Sequence, residues 1–115
     1  MVNREYVPDV GDIVWLDFDP QSVREQVGRR PGVVLSPRDY NQKASLAICC
    51  PITSHVKGYP FEVLLPAGNK WKGAILSDQL KSLDWRKRNA TKAGKIPQLT
   101  LDQVLERISL LLNIQ

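Results

Sequence analysis

Arg29 and Arg30 stand side by side between a glycine and a proline, in the run Glu25-Gln26-Val27-Gly28-Arg29-Arg30-Pro31. Gly28 opens backbone conformations closed to other residues. Pro31 fixes its own φ and biases Arg30 towards an extended backbone. An arginine so placed projects from the entrance of a strand, and its guanidinium fork matches phosphate oxygens two at a time. Taken alone, the motif fits an ordinary surface turn with two solvated arginines at least as well.

Two further groupings carry similar chemistry. Pro51-Ile52-Thr53-Ser54-His55 closes an apolar run, and the Thr53 and Ser54 hydroxyls can donate hydrogen bonds to phosphate oxygens. Thr53 is equally an ordinary threonine at a strand end. His55 has a pKa suited to proton transfer, but it is the only histidine. A two-histidine ribonuclease mechanism is therefore excluded, and His55 reads as exposed and incidental. Trp85-Arg86-Lys87-Arg88-Asn89, with Lys92 and Lys95, sets basic side chains beside an aromatic. That mixture suits a single strand, whose bases stack while its phosphates pair. A solvated loop whose tryptophan packs on the core accounts for the same residues. Just upstream, Asp78, Gln79, Lys81 and Ser82 can read base edges, as can Lys57. The only cysteines, Cys49 and Cys50, are adjacent in an apolar run. Neighbours in a strand point to opposite faces, no CxxC pair exists, and inert buried thiols are expected in place of a zinc site. No cofactor is implied.

The elements that must position these groups are short. Gly11-Asp12 opens a first strand at 13–18, which Asp19-Pro20 ends. A polar loop covers 21–30, and a second strand 33–35. Tyr40-Asn41-Gln42 reads as a turn or short helix. The largely apolar stretch 46–52 reads as a central strand. A loop follows at 53–58, a fourth strand at 61–65, a turn at 66–72 and a fifth strand at 73–80. The basic stretch 85–95 ends in a glycine-containing turn. The period then changes. Thr100 and Gln103 form a capping-box pattern, and Leu101, Val104, Leu105, Ile108, Leu111 and Leu112 recur at helical spacing. Five short strands and one amphipathic helix predict class α+β, a small SH3-like barrel with a C-terminal helix.

At 115 residues the chain is read as one domain spanning 1–115. A hydrophobic fraction of 43% predicts a folded core. No apolar run reaches the roughly 18 residues of a membrane span, and Met1-Val2-Asn3-Arg4-Glu5 lacks the apolar region of a secretory signal. A cytoplasmic, membrane-free protein is expected. The net charge of +4 points to a polyanionic or acidic partner.

The order of the motifs resembles the MazF/PemK-type toxins, small barrels of CcdB/PemK type. The matching stretches are Tyr6-Val7-Pro8-Asp9 through Asp19-Pro20, Glu25-Gln26-Val27-Gly28-Arg29-Arg30-Pro31, and Val33-Val34-Leu35-Ser36-Pro37. Tyr40-Asn41, Pro51-Ile52-Thr53, Lys57-Gly58-Tyr59-Pro60-Phe61-Glu62-Val63, Asp78-Gln79-Leu80-Lys81-Ser82 and Trp85-Arg86 continue the set. No single motif is decisive. Their order and spacing, over nearly the whole chain, are specific.

The resemblance implies a homodimeric toxin of a type II toxin–antitoxin system. It implies a sequence-specific endoribonuclease that cuts single-stranded mRNA without ribosomes or metal, so inhibiting translation and growth. Attack of the 2′-hydroxyl on the adjacent phosphate would leave 2′,3′-cyclic phosphate and 5′-hydroxyl ends. The implied inhibitor is a cognate antitoxin with an acidic, flexible tail. Carried over by position, Arg30 matches the family's catalytic arginine, Thr53 its catalytic threonine, and Glu25 a loop glutamate near the site. Arg29, Ser54, Lys57, Asp78, Gln79, Lys81 and Arg86 are expected to contact RNA. The family usually has glycine two residues before the glutamate, where this chain has Val23. That departure bears on loop mobility and substrate preference. Arg30 suits a fixed charge aimed at the developing phosphorane. Its side-chain pKa, above about 12, suits proton transfer poorly, and Glu25 is the more natural base. Two other functions stay in view. A gyrase-directed poison of CcdB type relies on a tryptophan near the C-terminus, whereas the last one here is Trp85. A non-catalytic RNA-binding or SH3-like module would keep the basic groove and lose only the chemistry.

Overall fold

The computed structural model describes residues 5–17, 29–67 and 70–114. Along the chain come β1 (Asp12–Asp17), β2 (Arg29–Val34), α1 (Arg38–Ala44), β3 (Ala47–Thr53) and β4 (Glu62–Leu64). β5 (Ala74–Leu76), β6 (Lys81–Leu83), β7 (Thr91–Lys95) and α2 (Gln98–Leu112) complete it. All the pairings are antiparallel. The sheet runs β4-β5-β3-β2-β1-β7, with β6 also paired to β3. The α+β class and the C-terminal helix expected from the sequence are both present.

β3 is the hub. One edge pairs with β2, from Val34↔Cys49 to Gly32↔Pro51. Its other edge is shared. Ala47 to Cys49 pair with β6, and Ile52 and Thr53 pair with β5. This change of partner lets the sheet turn over, as in a small barrel.

The central strands read as apolar runs because both their faces are covered. Ile13, Val33 and Cys50 pack with Leu101, Val104 and Ile108 of α2. Their neighbours Val14, Val34 and Cys49 pack on the other side with Val7, Leu83 and Trp85. The two thiols therefore lie on opposite faces, as strand alternation requires, and burial pushes each up to about 12. A polar knot ties the second cluster together. Buried Asn41 donates to the carbonyls of Pro8 and Ser36, and its own carbonyl accepts from Trp85 Nε1 at 2.9 Å.

The structure departs from the sequence reading at four places. β2 begins at Arg29, so both arginines are strand residues; Leu16 and Asp17 hold them in register. The expected strand at 73–80 shortens to β5, which ends at Leu76, and β6 begins only beyond it, at Lys81. Ser77 still donates its backbone N–H and hydroxyl to the carbonyl of Phe61, and the chain then turns, with the Gln79 N–H donating to the Leu76 carbonyl at 3.1 Å. The end of the basic stretch is not a turn but β7, which pairs with β1 across a register shift at Ile13 and Val14. Seven strands thus replace five among the described residues. Tyr40 to Gln42 lie in the short helix α1, one of the two forms expected for them. Finally, α2 starts at Gln98 behind Pro97, with no side-chain cap. Thr100 is buried within the first turn, so the Thr100–Gln103 capping box does not form. Of the helical stripe, Leu101, Val104 and Ile108 are buried, while Leu105, Leu111 and Leu112 are exposed. The expected strand end at Asp19-Pro20 lies outside the described residues. Among the described residues no helix is long and apolar enough to cross a membrane.

Candidate functional site

The strand that forms the hub also builds the site. Thr53 is the last residue of β3 and pairs with Ala74. Gly73 sits beside it at φ +115°, and a Cβ there would come within 2.9 Å of the Thr53 carbonyl carbon. Only glycine permits that approach. Beyond β3 the chain turns, and Thr53 Oγ1 accepts the backbone N–H of His55 at 3.0 Å. That bond occupies a lone pair of the hydroxyl and leaves its hydrogen free to be donated.

Arg30 reaches the same place from β2. Extending the Gly32↔Pro51 register by two residues in each strand sets Arg30 across from Thr53. The two line one hollow of about 480 Å³, with Pro51, Ile52, Ser54, His55, Leu76, Gln79 and Lys81. A second hollow, of about 470 Å³, is lined by Thr53, His55, Lys57, Tyr59, Glu62, Leu76, Asp78 and Gln79. Thr53, His55, Leu76 and Gln79 belong to both, so the hollows join into one groove.

The adjacent arginines have separate fates because strand neighbours face opposite ways. The Arg29 guanidinium donates to Asp17 Oδ1 at 3.2 Å, to the Trp15 carbonyl and Thr91 Oγ1 at 3.0 Å each, and to the Asn89 carbonyl. It ties β2 to β1 and β7 and does not line the groove. Arg30 is exposed and has no side-chain hydrogen bond or ion pair among the described residues. Arg86, also expected at the RNA surface, is likewise spent elsewhere. It pairs with Glu5 at 2.9 Å, donates to Ser45 Oγ, and lies 4.2 Å above the Trp85 ring. Trp85 itself is buried, so of its two readings the packed one holds. The groove brings together Arg30, Thr53, Ser54, Lys57, Asp78, Gln79 and Lys81; Arg29 and Arg86 stay outside it. Glu25 lies outside the described residues, as does Val23.

Three lining residues went unnoticed in the sequence as parts of a site: Tyr59, Glu62 and Leu76. Glu62 and Leu76 are directly opposed on β4 and β5, and a cross-strand pair of that kind leaves no mark in linear spacing. Tyr59 followed by Pro60 gave a signal, an aromatic with a restricted backbone. His55 is exposed, as expected, yet it lines both hollows. Among the described residues no three His, Cys, Asp or Glu side chains are grouped to hold a metal. The arrangement can therefore clamp a phosphate between the Arg30 fork and the Thr53 hydroxyl, with Lys57 and Lys81 placed for neighbouring phosphates.

Comparison with known proteins bears on that chemistry. Residues 9–112 match the family described as PemK-like, MazF-like toxin of type II toxin–antitoxin system. The chain is 49% identical to the endoribonuclease toxin MazF of Escherichia coli strain K12, over 98% of this chain and 100% of that protein. Among solved structures, a MazE-MazF crystal structure from Deinococcus radiodurans superposes with a TM-score of 0.87 at 44% identity, covering 96% of this chain and all of that one. MazF alone from the same organism gives 0.86 at 48% identity, with the same coverage.

Proposed function

The chain belongs to the PemK-like, MazF-like toxin family of type II toxin–antitoxin systems, and from that premise we propose that it is an endoribonuclease that cuts single-stranded mRNA in the groove between Arg30 and Tyr59. The observation that carries the proposal is that the Arg30 guanidinium, with no side-chain partner among the described residues, lines the same hollow as the Thr53 hydroxyl. Relatives 49% and 28% identical to this chain are named endoribonucleases.

The reaction is a transesterification. The 2′-hydroxyl loses its proton and attacks the adjacent phosphorus. The P–O5′ bond breaks, a 2′,3′-cyclic phosphate forms, and the 5′-oxygen takes a proton. Arg30 holds the non-bridging oxygens through two parallel N–H donors and meets the charge that grows on them. Thr53 adds one hydroxyl donor to the same oxygens. Thr53 only donates a hydrogen bond, and a guanidinium with a pKa above about 12 suits proton transfer poorly, so Glu25 is the more natural base. Ser54, Lys57, Asp78, Gln79 and Lys81 then select and hold the flanking nucleotides. No step calls for a metal.

The basic groove also suits an acidic, flexible antitoxin tail, which would compete with RNA for the same cations, and we propose that the toxin acts as a cytoplasmic homodimer of a single domain. The reading is tested by incubating the purified protein with a long single-stranded RNA and mapping every new 5′-end. Cuts at one short recurrent sequence, with 5′-hydroxyl and 2′,3′-cyclic phosphate ends, are expected. Intact RNA after prolonged incubation would leave a binding module in place of a nuclease.

A further inference from the structure

We infer that the ring of Tyr59 is a stacking platform for one nucleobase of the bound strand, and that Glu62 is the positioning residue that holds it in place. The inference rests on the RNA-cleaving reading above and extends it to the hollow that Arg30 does not line.

Tyr59 is 61% exposed, on the wall of the groove. An exposed tyrosine on a loop ordinarily moves with that loop. Here the backbone beneath it is fixed from three directions. Glu62 Oε1 accepts the N–H groups of Lys57, Gly58 and Tyr59 at 3.1, 2.7 and 3.2 Å, and its Oε2 accepts Lys57 again at 3.1 Å. Glu62 returns its own N–H to the Tyr59 carbonyl at 3.1 Å. From α2, Arg107 Nε donates to the Pro60 carbonyl at 3.0 Å. The ring is thus presented at a set place with its ordering cost already met, which is what a platform for a flexible strand needs.

The surroundings fit a nucleotide. Lys57 Nζ lies over the Tyr59 ring, 5.9 Å from its centre, so a base stacking on that face would displace the ammonium towards the nucleotide's own phosphate. Base stacking beside a phosphate-pairing cation is the recurring pattern of single-strand grooves. Asp78 and Gln79 line the same hollow and offer both donors and acceptors to a base edge. A free carboxylate beside the ring would repel the phosphate of a base stacked on it. The Glu62 carboxylate instead spends its charge on backbone N–H groups, which explains an acidic residue in a groove meant for RNA.

The test uses the full chain and a short RNA centred on a mapped cut, with a series in which each flanking nucleotide in turn is made abasic. Tyr59→Ala is expected to raise KM about tenfold or more, the range set by loss of one stacked base, with kcat little changed and the thermal midpoint kept. Tyr59→Phe and Tyr59→Trp should recover most of that loss, since each keeps a ring face. One abasic position should cost the wild-type chain the same factor and cost Tyr59→Ala nothing further. Glu62→Gln should also raise KM, and adding it to Tyr59→Ala should add little. A wild-type KM for Tyr59→Ala would overturn the inference and leave Tyr59 as a contact for a protein partner. An equal loss on every abasic RNA would overturn it too. Arg30→Ala separates the two readings. If the wild-type chain cuts and Arg30→Ala does not, the nuclease reading stands whatever Tyr59 does; if the wild-type chain leaves the RNA whole, both fall.

Discussion

Arg30 and Thr53 lie two residues beyond the Gly32↔Pro51 pair on adjacent strands, and they line the same hollow. Each is set there by the ladder and not by a flexible loop, so the pair is placed by the fold before any ligand arrives. A site built on strands holds its geometry more tightly than one built on loops.

That placement separates the two arginines experimentally. Arg30→Ala should lower cleavage by about 100- to 1,000-fold, the usual effect of losing one donor to a developing oxyanion, with an unchanged urea midpoint. Arg29→Ala should do the reverse, since its guanidinium joins β1, β2 and β7. It should lower stability by about 1–2 kcal/mol and reduce cleavage only in proportion to unfolding. Arg30→Lys should recover little, because a point charge cannot form the fork. Cleavage rates and urea curves on the three variants check this together.

Gly73 guards the other member of the pair. A methyl group there meets the Thr53 backbone, and the φ of +115° is itself strained for any other residue. Gly73→Ala should therefore cost about 1–3 kcal/mol, and it should reduce cleavage even at temperatures where the variant is fully folded. An active variant of wild-type stability would show that β5 yields without disturbing Thr53.

The buried thiols predict an alkaline weakness. Burial raises Cys49 and Cys50 from 9.0 to about 12. Above pH 9 the unfolded chain gives up these protons while the folded chain keeps them. The stabilisation is therefore whole below pH 9 and is lost as pH rises towards 12, at up to about 1.4 kcal/mol per pH unit for each thiol. Tyr6, raised by burial and by its hydrogen bond to Asp12, acts in the same direction. Urea midpoints measured on either side of pH 9 should fall with pH, and replacing both cysteines with alanine should flatten the slope. The native thiols should resist a thiol reagent that labels the denatured chain.

Chelation tests the metal-free chemistry. EDTA should leave the cleavage rate unchanged, because the proposed mechanism assigns charge neutralisation to Arg30. Loss of activity restored by a divalent cation would mean that the Arg30 clamp is not the main source of charge stabilisation.

How much of this the chain announces in one dimension depends on how local each cause is. Strand cores at β1, β3 and β4 were legible, because an apolar run between turn residues carries its own signal. The end of β5 at Leu76 was not, since the turn that follows carries neither glycine nor proline to mark it. The capping box failed for a related reason. Thr100 has the right spacing, but the helix already starts at Gln98 behind Pro97, which puts Thr100 inside the first turn and not at its cap. Resemblance in motif order supplied Arg30 and Thr53. Spacing alone could not say that Arg29 is spent on Asp17, nor that Arg86 is spent on Glu5.

The sequence by itself therefore determined the class, the family and the kinds of side chain available: a basic surface, a guanidinium before proline, a threonine at a strand end. Only the tertiary structure decided which of those groups are free to meet a ligand. Among the described residues Arg29 and Arg86 are satisfied within the fold and Arg30 is not. That depends on strand register and on partners far away in the chain, neither of which is written in local spacing.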